Sequence, residues 1–488
     1  MKFNFQNTHN FIRRVLGSRG FLVFIIILFA FQSAWIAFSF RYPMLYDEYF
    51  HVNVIKLFSQ QLSPFITSQP TSYDIFGVLS YGVATLFHYL MSFPYRAISV
   101  FTDNLAIQVI SMRLVCIAFT AVGIVLFNKL FQKIGIKQVF INVALLLFVL
   151  LPIVPFVAAT VNYDNMLFPL TALFFIICVD ILSSKKIVWT QYAWFIIIGC
   201  FASLVKYTFL PIFAVSTIYL AVVLYKQYGR GIFFKAIESF QATTKQVAIG
   251  LAGLIIVAVG MFSVVYIQNI ILFGALQPNC QKVMSQERCD DNSLLVRDEQ
   301  AEATKDTRPL IQTPDYVSLW FVQMADWTTM SGARTVAYGT VVGEPLPVIY
   351  SVVFFGGFIG LLSMIYSWNF LDKNKNWYFL LVVSLILVLA VFMQNYAYYI
   401  RLHAAYTIQP RYLLTIMPIL IVMTVVAVNY IVRKRNTIKL LILFCALVLF
   451  LQGGGLITHI ICSDEGWNWD SHIVRQINNS TRDFLTHL

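Results

Sequence analysis

Charge is scarce in this chain of 488 residues: Asp, Glu, Lys and Arg together make up 11% of it, whereas hydrophobic residues make up 59%. Soluble globular proteins carry about 25% charged residues, so the deficit excludes the soluble, disordered, coiled-coil and collagen-like classes. Cysteine is also rare, and seven residues are too few for a disulfide scaffold. Aromatic residues are abundant instead, with 44 Phe and 25 Tyr. The composition therefore predicts an all-α polytopic membrane protein.

Apolar segments long enough to cross a bilayer recur along the chain. A membrane-spanning helix needs about 20 consecutive, mostly apolar residues. Eleven segments meet this requirement, and they lie near 21–40, 105–127, 139–159, 166–183, 188–205, 207–225, 247–273, 346–367, 377–397, 412–431 and 440–461. The first follows three arginines and has no small-residue cleavage site at its end, so we interpret it as an uncleaved anchor.

One further segment, 75–93, is also apolar enough to span the membrane. A span there would invert the orientation of everything that follows it. Gly77, Gly82 and His88, with tyrosines on both flanks, are typical of a helix that lies in the membrane interface. We expect an interfacial helix at 75–93, with a spanning helix as the alternative.

Basic residues are distributed asymmetrically between the two sides that eleven spans define. The segments on the N-terminal side hold 19 Lys and Arg but only two acids, Glu238 and Asp372, with a third acid, Asp180, at a span end; the segments are 1–20, 128–138, 184–187, 226–246, 368–376 and 432–439. Because Lys and Arg accumulate in cytoplasmic loops, we expect a cytoplasmic N-terminus and an extracytoplasmic C-terminus. The predicted organisation is a transmembrane domain over 1–461 with large outer loops at 41–104 and 274–345, followed by a short extracytoplasmic tail at 462–488. The inside loops contain no nucleotide-binding motif, so any chemistry faces outward.

Acidic residues gather at the outer ends of the early spans. Asp47 and Glu48 follow span 1 directly, and in a helix His51 would lie one turn beyond Asp47 on the same face. Asp164 lies in the short turn between spans 3 and 4. The alternative for the first cluster is a hydrated acidic pair in an aromatic belt, and the alternative for Asp164 is capping of span 4.

Cations occur at the same depth as these acids: Lys206 between spans 5 and 6, Arg411 at the start of span 10, Arg401 and His403 before it, and Arg113 inside span 2. A buried guanidinium needs a partner or an anionic ligand, and Arg411 at a helix N-terminus would add backbone N–H groups suited to phosphate. Snorkelling to lipid headgroups is the alternative for each cation. Acids and cations together suit a reaction on a lipid-borne phosphate, in which a carboxylate deprotonates an acceptor hydroxyl and cations stabilise the leaving phosphate. We expect all five cationic side chains and His51 to bind substrate.

These motifs resemble those of the GT-C superfamily, the polyprenyl-phosphate-sugar-dependent glycosyltransferases of membranes. The pair Asp47-Glu48 just after the first span is similar to the first-loop signature of that superfamily, and the resemblance extends over about residues 20–430. It also includes the turn 162–165, the turn Lys206-Tyr207-Thr208 followed by Pro211, and the late Arg411-Tyr412-Leu413. The resemblance implies that Asp47 is the base, that Glu48 and Asp164 shape the pocket, and that Lys206 and Arg411 face the lipid phosphate.

The resemblance further implies transfer of a sugar from a polyprenyl-phosphate donor to an extracytoplasmic acceptor, a lipid or a lipid-linked glycan, in a bacterial inner membrane. Larger members carry a soluble C-terminal domain where this chain has a short tail, which argues against a protein acceptor. We expect no cofactor and no nucleic-acid partner, and a divalent metal stays open, because Asp47, Glu48, His51 and His403 are not a recognisable ligand set. A transporter or flippase for lipid-linked glycans is one alternative, although its charges should lie near the midplane in two related halves. A non-catalytic assembly subunit is the other.

Two cysteines, Cys280 and Cys289, lie close together in the large outer loop 274–345. In an oxidising compartment this arrangement predicts a disulfide that closes a short loop. A zinc site is disfavoured because the loop contains no His.

Overall fold

The computed structural model describes residues 5–65, 85–283, 285–290, 293–330, 347–371, 374–463 and 465–486. Over these ranges the chain forms 24 α-helices, joined by turns and short 3-10 or π-helical segments, and no β-strand. The first twelve are α1 Phe5–Leu16, α2 Arg19–Ser39, α3 Glu48–Ser59, α4 Leu86–Ser99, α5 Leu105–Lys133, α6 Gln138–Val149, α7 Ile153–Ala158, α8 Asp164–Ser183, α9 Trp189–Val205, α10 Leu210–Tyr228, α11 Ile232–Gln241 and α12 Lys245–Phe262. The others are α13 Gln268–Phe273, α14 Cys280–Val283, α15 Gln286–Cys289, α16 Ser293–Ala303, α17 Thr313–Thr328, α18 Pro347–Tyr366, α19 Trp368–Leu371, α20 Lys375–Leu402, α21 Met417–Ile431, α22 Asn436–Gly453, α23 Leu456–Cys462 and α24 His472–Thr486.

Within the described ranges, eight helical segments are long and apolar enough to cross a membrane. They are Arg19–Ser39, Leu105–Lys133, Asp164–Ser183, Tyr207–Gly231, Lys245–Phe273, Ile349–Tyr366, Lys375–Leu402 and Asn436–Ile461. The predicted class, an all-α polytopic membrane protein, is thereby confirmed. Three further apolar helices, α6, α9 and α21, are shorter, so the total of eleven spans stays a prediction.

Prolines explain where two of the predicted spans are interrupted. The predicted span at 139–159 is divided into α6 and α7 at Pro152, which has no backbone N–H to continue the helix. The span predicted at 412–431 becomes α-helical only at Met417, because Pro410 begins a separate 3-10 turn over 410–413. The prediction for 75–93 falls largely on residues 66–84, which lie outside the described residues, and its last part belongs to α4.

The core lies where α5 and α8 pack side by side, with α6 and α9 against them and α21 against α6. The close approach of α5 and α8 depends on Gly123, since a Cβ atom there would lie 2.2 Å from a ring carbon of Phe168. The ring of Phe168 in turn contacts Phe127 and Phe148, with centroids 4.9 and 5.4 Å apart. A small residue that lets two helix backbones approach is typical of packing in membranes.

The two ends of the helix bundle bring different segments together. At one end Asn374 donates to the carbonyl of Ile134 at 3.4 Å, and Asn376 Nδ2 donates to Ser183 Oγ at 3.1 Å. These segments are among those predicted to lie inside. At the other end the α2–α3 loop contacts the α7–α8 turn and residues 410–413, and the α9–α10 turn contacts Asp164 at the start of α8. All of these segments were predicted to lie outside.

Candidate active site

At the end of the α2–α3 loop, residues 40–47, two neighbouring acids lie in different environments, one half-exposed and one buried. Tyr46 and Asp47 both adopt left-handed backbone conformations, with φ of 66° and 65°. Such conformations are uncommon for residues other than glycine and persist where the surrounding structure holds them. The side chain of Asp47 is 49% exposed, whereas that of Glu48 is completely buried. Asp47 precedes α3, which begins at Glu48, so only the second acid is part of the helix.

Glu48 forms a buried ion pair with Arg113 of α5. Arg113 Nε and Nη2 donate to the two carboxylate oxygens at 2.8 and 2.7 Å, and Arg113 Nη1 donates to the carbonyls of Ala37 and Phe40 at 2.9 and 2.6 Å. Glu48 also accepts the backbone N–H groups of Met44 and Val161 at 2.7 and 3.1 Å.

This network shows where two residues of the predicted site lie, and both side chains are fully buried and bonded within the protein. Arg113, predicted to bind substrate, has its guanidinium bonded to Glu48 and to the end of α2. Glu48, predicted to shape the pocket as a catalytic residue, fastens the α2–α3 loop to α5 and to the α7–α8 turn. The anionic partner that a buried guanidinium requires is thus supplied by the chain itself.

Asp47 forms a second ion pair, with Arg411, at the protein surface. Arg411 Nη2 lies 2.8 Å from Asp47 Oδ2, and Nη1 donates to the carbonyl of Tyr46 at 3.2 Å. Only 5% of the Arg411 side chain is exposed, and its Nε atom is buried with no hydrogen-bond partner among the described residues. The guanidinium also lies over the ring of Tyr46 at 4.9 Å and that of Tyr412 at 5.5 Å.

The position of Arg411 differs in one respect from the sequence-based expectation. It lies in the 3-10 turn 410–413, and α21 begins only at Met417. The predicted helix N-terminus is therefore not at Arg411. What the position provides instead is a guanidinium enclosed by two tyrosine rings, with Asp47 on its exposed side.

Lys206 and Asp164 form a third pair beside the second. Lys206 Nζ lies 2.6 Å from Asp164 Oδ1, and both side chains are at least 98% buried. The ammonium lies 4.4 Å from the ring centre of Tyr163 and 4.8 Å from that of Tyr412. Burial lowers the pKa of Lys206 to about 8, although Asp164 opposes that shift. Since the ring of Tyr412 contacts both Lys206 and Arg411, the two cations share one aromatic partner.

Asp164 is part of the charged cluster and does not cap α8 through its side chain. The backbone N–H of Asp164 is instead bonded to Asn162 Oδ1 at 2.8 Å, while Asn162 Nδ2 donates to the carbonyl of Tyr46 at 2.8 Å. The second carboxylate oxygen, Asp164 Oδ2, is buried and has no hydrogen-bond partner among the described residues. A buried acceptor left without a partner costs about 1–3 kcal/mol, so this oxygen marks a place where a donor group would be stabilised.

His51 lies behind this cluster, in a buried pair with His88 of α4. His51 Nδ1 and His88 Nε2 are 2.9 Å apart, and the other two ring nitrogens are buried without partners among the described residues. Burial lowers the pKa of both imidazoles, that of His88 to about 3, so both rings are neutral near pH 7. The ring of His51 meets Tyr163 edge-on, with centroids 4.5 Å apart. His51, predicted to bind substrate, is thus buried between His88 and Tyr163, and sequence reasoning missed its partner His88.

Arg401 and His403 contact a different part of the molecule. Arg401 Nη2 lies 3.2 Å from Asp298, and His403 Nδ1 lies 3.0 Å from the carbonyls of Lys305 and Arg308. The structure does not bring them together with Lys206 and Arg411, because their contacts are with residues 298–308 of the second outer loop. In the same loop the structure joins Cys280 to Cys289 with a Cα–Cα distance of 5.7 Å. Over the described residues no group of three or more His, Cys, Asp or Glu side chains is arranged to hold a metal ion.

The fold and this site together define a multi-pass helical membrane protein with a charged, tyrosine-lined cluster at one end of the bundle. No protein-family profile and no curated protein matches the chain. Among solved structures it is similar to the archaeal oligosaccharyltransferase AglB from Archaeoglobus fulgidus, solved in complex with an inhibitory peptide and a dolichol-phosphate. The sequence identity is 12% and the TM-score 0.41, over 94% of this chain and 56% of AglB. The chain thus spans little more than half the length of AglB.

Proposed function

We propose that the protein is an integral-membrane glycosyltransferase that moves a sugar from a polyprenyl-phosphate donor to an acceptor hydroxyl on a lipid or lipid-linked glycan at the extracytoplasmic surface. The observation that carries the proposal is the pairing of a half-exposed carboxylate, Asp47, with a buried guanidinium, Arg411, beside a second buried cation, Lys206. A carboxylate within reach of solvent is placed to accept a proton, and buried cations are placed to match the charge of a phosphate.

In the proposed reaction Asp47 removes the proton from the acceptor hydroxyl. The acceptor oxygen then bonds to the anomeric carbon of the sugar, the bond between that carbon and the phosphate oxygen breaks, and polyprenyl phosphate leaves with the electron pair. The proton on Asp47 passes to water. Arg411 and Lys206 lower the barrier by stabilising the charge on the leaving phosphate in surroundings from which tyrosine rings exclude water.

Before the sugar donor binds, Arg411 is already bonded to Asp47. This contact determines the order of the proposed steps. A donor phosphate competes with Asp47 for Arg411 Nη2, and Arg411 Nε, which has no partner among the described residues, offers a second N–H for a two-point contact. Once released from the guanidinium, Asp47 is free to accept a proton. The proposal therefore has donor binding precede activation of the acceptor.

The test is transfer of labelled sugar from a panel of polyprenyl-phosphate donors in purified membranes. We expect Asp47→Asn, which keeps the shape and removes the basicity, to lower turnover by about 10²-fold or more while donor binding persists. We expect Arg411→Ala to weaken donor binding as well as turnover, because a phosphate contact exists before the transition state.

A matched control is offered by Asp180, which pairs with Lys133 at the opposite end of the bundle. Asp180→Asn also removes one carboxylate from an ion pair, and it should leave transfer unchanged. If Asp47→Asn keeps full activity while Asp164→Asn loses it, the base is wrongly assigned within a correct site. If both variants keep full activity, the glycosyltransferase proposal is wrong, and transport of a lipid-linked glycan becomes the better interpretation.

A further inference from the structure

The helix α24 carries three large apolar side chains that the protein leaves uncovered. Ile473, Ile477 and Phe484 are 69%, 43% and 64% exposed. At about 100° of rotation per residue, the three fall within an arc of about 40° on the helix surface. They therefore form one narrow apolar stripe along the helix, which we call the α24 stripe.

The remaining surface of α24 divides into a protein-facing side and a polar side. Asn478 is 3% exposed, donates to Asn468 Oδ1 at 3.0 Å and accepts from Trp35 Nε1 of α2 at 3.0 Å. The exposed residues His472 and Gln476 lie on the polar side. Each of these two sides is roughly 80–120° from the centre of the α24 stripe around the helix axis. The helix α24 thus has a side that faces the protein, a polar side that suits water, and an exposed apolar stripe that needs an apolar environment.

The position of α24 next to α2 indicates which apolar environment the α24 stripe faces. The bond between Trp35 and Asn478 fixes α24 to the last turns of α2, which is one of the eight helices able to cross a membrane. On that same helix Phe31 and Phe38 are 61% and 46% exposed, as expected of a surface that faces lipid. A helix bonded to the end of a membrane-spanning helix thus carries exposed apolar side chains, as that helix does.

We propose that α24 lies in the plane of the outer leaflet, with the α24 stripe inserted among the lipid chains. An amphipathic helix that buries its apolar face at the boundary between headgroups and acyl chains is a well-defined mode of membrane contact. The segment before α24 is bonded to the chain at the start of the α2–α3 loop, which leads to the charged site. Trp469 N donates to the carbonyl of Ser39 at 2.9 Å, and Arg41 N donates to that of Trp467 at 2.8 Å. The leaflet thus sets the depth of the loop that presents Asp47, and this inference does not depend on the proposed reaction.

Spin labels on the full-length protein in vesicles of phosphatidylethanolamine and phosphatidylglycerol test the proposal. Cysteine variants I477C and F484C probe the α24 stripe, and H472C and Q476C probe the polar side, all with Cys445 and Cys462 replaced by serine. Of the other native cysteines, Cys116, Cys178 and Cys200 are buried, and Cys280 is bonded to Cys289. We expect labels at 477 and 484 to be accessible to oxygen and shielded from a water-soluble nickel chelate, with the reverse at 472 and 476. Equal nickel access at all four positions overturns the proposal. So does spin–spin broadening at 477 that disappears on dilution with unlabelled protein, because a second copy then covers the stripe.

A pair of charge substitutions separates lipid contact from protein contact. Ile477→Asp places a carboxylate in the α24 stripe, and Gln476→Asp places the same group on the polar side. With the label at F484C, we expect Ile477→Asp to raise nickel access several-fold and Gln476→Asp to leave it unchanged. If neither substitution changes the accessibility at 484, contacts with the protein alone hold the helix and the proposal is wrong.

Discussion

At Lys206, burial and a neighbouring charge have opposite effects on the pKa of the side chain: burial lowers it and Asp164 raises it. Its ammonium is enclosed by Asp164 and the rings of Tyr163 and Tyr412, and burial lowers its pKa to about 8. Below that pH the side chain is a cation able to attract a phosphate. As the pH rises through 8 the folded protein loses this proton, and with it the attraction.

The pH dependence of transfer follows from this titration. We expect kcat/KM for the polyprenyl-phosphate donor to fall above pH 8, by up to about tenfold per pH unit, because this quantity reports the ionisation of the free enzyme. Lys206→Arg should remove the fall, since a guanidinium stays protonated throughout this range. The measurement is a pH–rate profile of both proteins between pH 6 and 10, and an identical alkaline limb in the two would assign the titration to another group.

Among single residues, the sequence allowed the charged groups to be selected but not their partners. Asp47, Asp164, Lys206 and Arg411 follow from one criterion, a charge at the outer end of an apolar span. Their pairing depends on tertiary contacts across 42 residues for one pair and 364 for the other, which no local pattern encodes. Tyr412 and the other tyrosines of the site were given no role of their own, because aromatic residues make up 16% of this chain and a single tyrosine carries little signal. The catalytic and binding roles themselves stay predictions.

At the scale of elements, the α2–α3 loop is held on several sides by bonds from distant parts of the chain. Arg113 holds it through Glu48 at the start of α3, Asn162 through the carbonyl of Tyr46, and Trp467 through the backbone N–H of Arg41. Removing one partner of a buried ion pair typically costs about 3–5 kcal/mol, because the other charge stays buried without compensation.

A double-mutant cycle on Glu48 and Arg113 measures this effect. We expect Glu48→Gln and Arg113→Met each to lower the free energy of unfolding by about 3–5 kcal/mol, and the double variant to lose less than the sum of the two. Unfolding in mixed micelles with increasing denaturing detergent provides the measurement. Strict additivity would mean that the pair is not coupled and that the loop is held by its other contacts.

Helix positions were more predictable than helix boundaries. Each predicted span has a helical counterpart, because about 20 apolar residues in sequence have few alternatives in a membrane. Boundaries depended on single residues and on packing: Pro152 divides one span, the turn at Pro410 delays another, and α20 extends to Leu402, five residues beyond its predicted end. The three short helices pack in the core, where neighbouring helices rather than lipid surround them.

For the whole molecule, the arrangement of polar groups is strongly one-sided. The charged pairs around Asp47 lie at one end of the bundle, and the ends of α5, α8 and the start of α20 meet at the other. The segments predicted to lie inside meet at one end of the bundle, and those around Asp47 meet at the other. A single orientation in the membrane therefore places each set on one side. The 19 basic residues of the predicted inside segments favour the orientation with Asp47 outside.

Reporter fusions test that orientation directly. We expect reporters at 133, 240 and 435 to be cytoplasmic and those at 60, 300 and 475 to be external, because moving basic loops across the membrane is disfavoured. A paired reporter that is active only outside and one that is active only inside, fused at each position, provide the readout. A cytoplasmic reporter at 300 would contradict both the orientation and the outward-facing site.

Asp47 and Glu48 are joined by a single peptide bond, yet one side chain is half-exposed and the other fully enclosed. Because of this difference in exposure, mutations at the two positions would cause two different kinds of genetic defect in a cell. A change at Glu48 destabilises the fold, and quality control lowers the abundance of a destabilised protein, so the membrane is left without it. A change at Asp47 leaves a folded protein that still occupies its place and, on the proposed function, still retains its lipid carrier. Alleles at adjacent codons would therefore differ in dominance, the first behaving as a recessive loss and the second interfering with the intact copy.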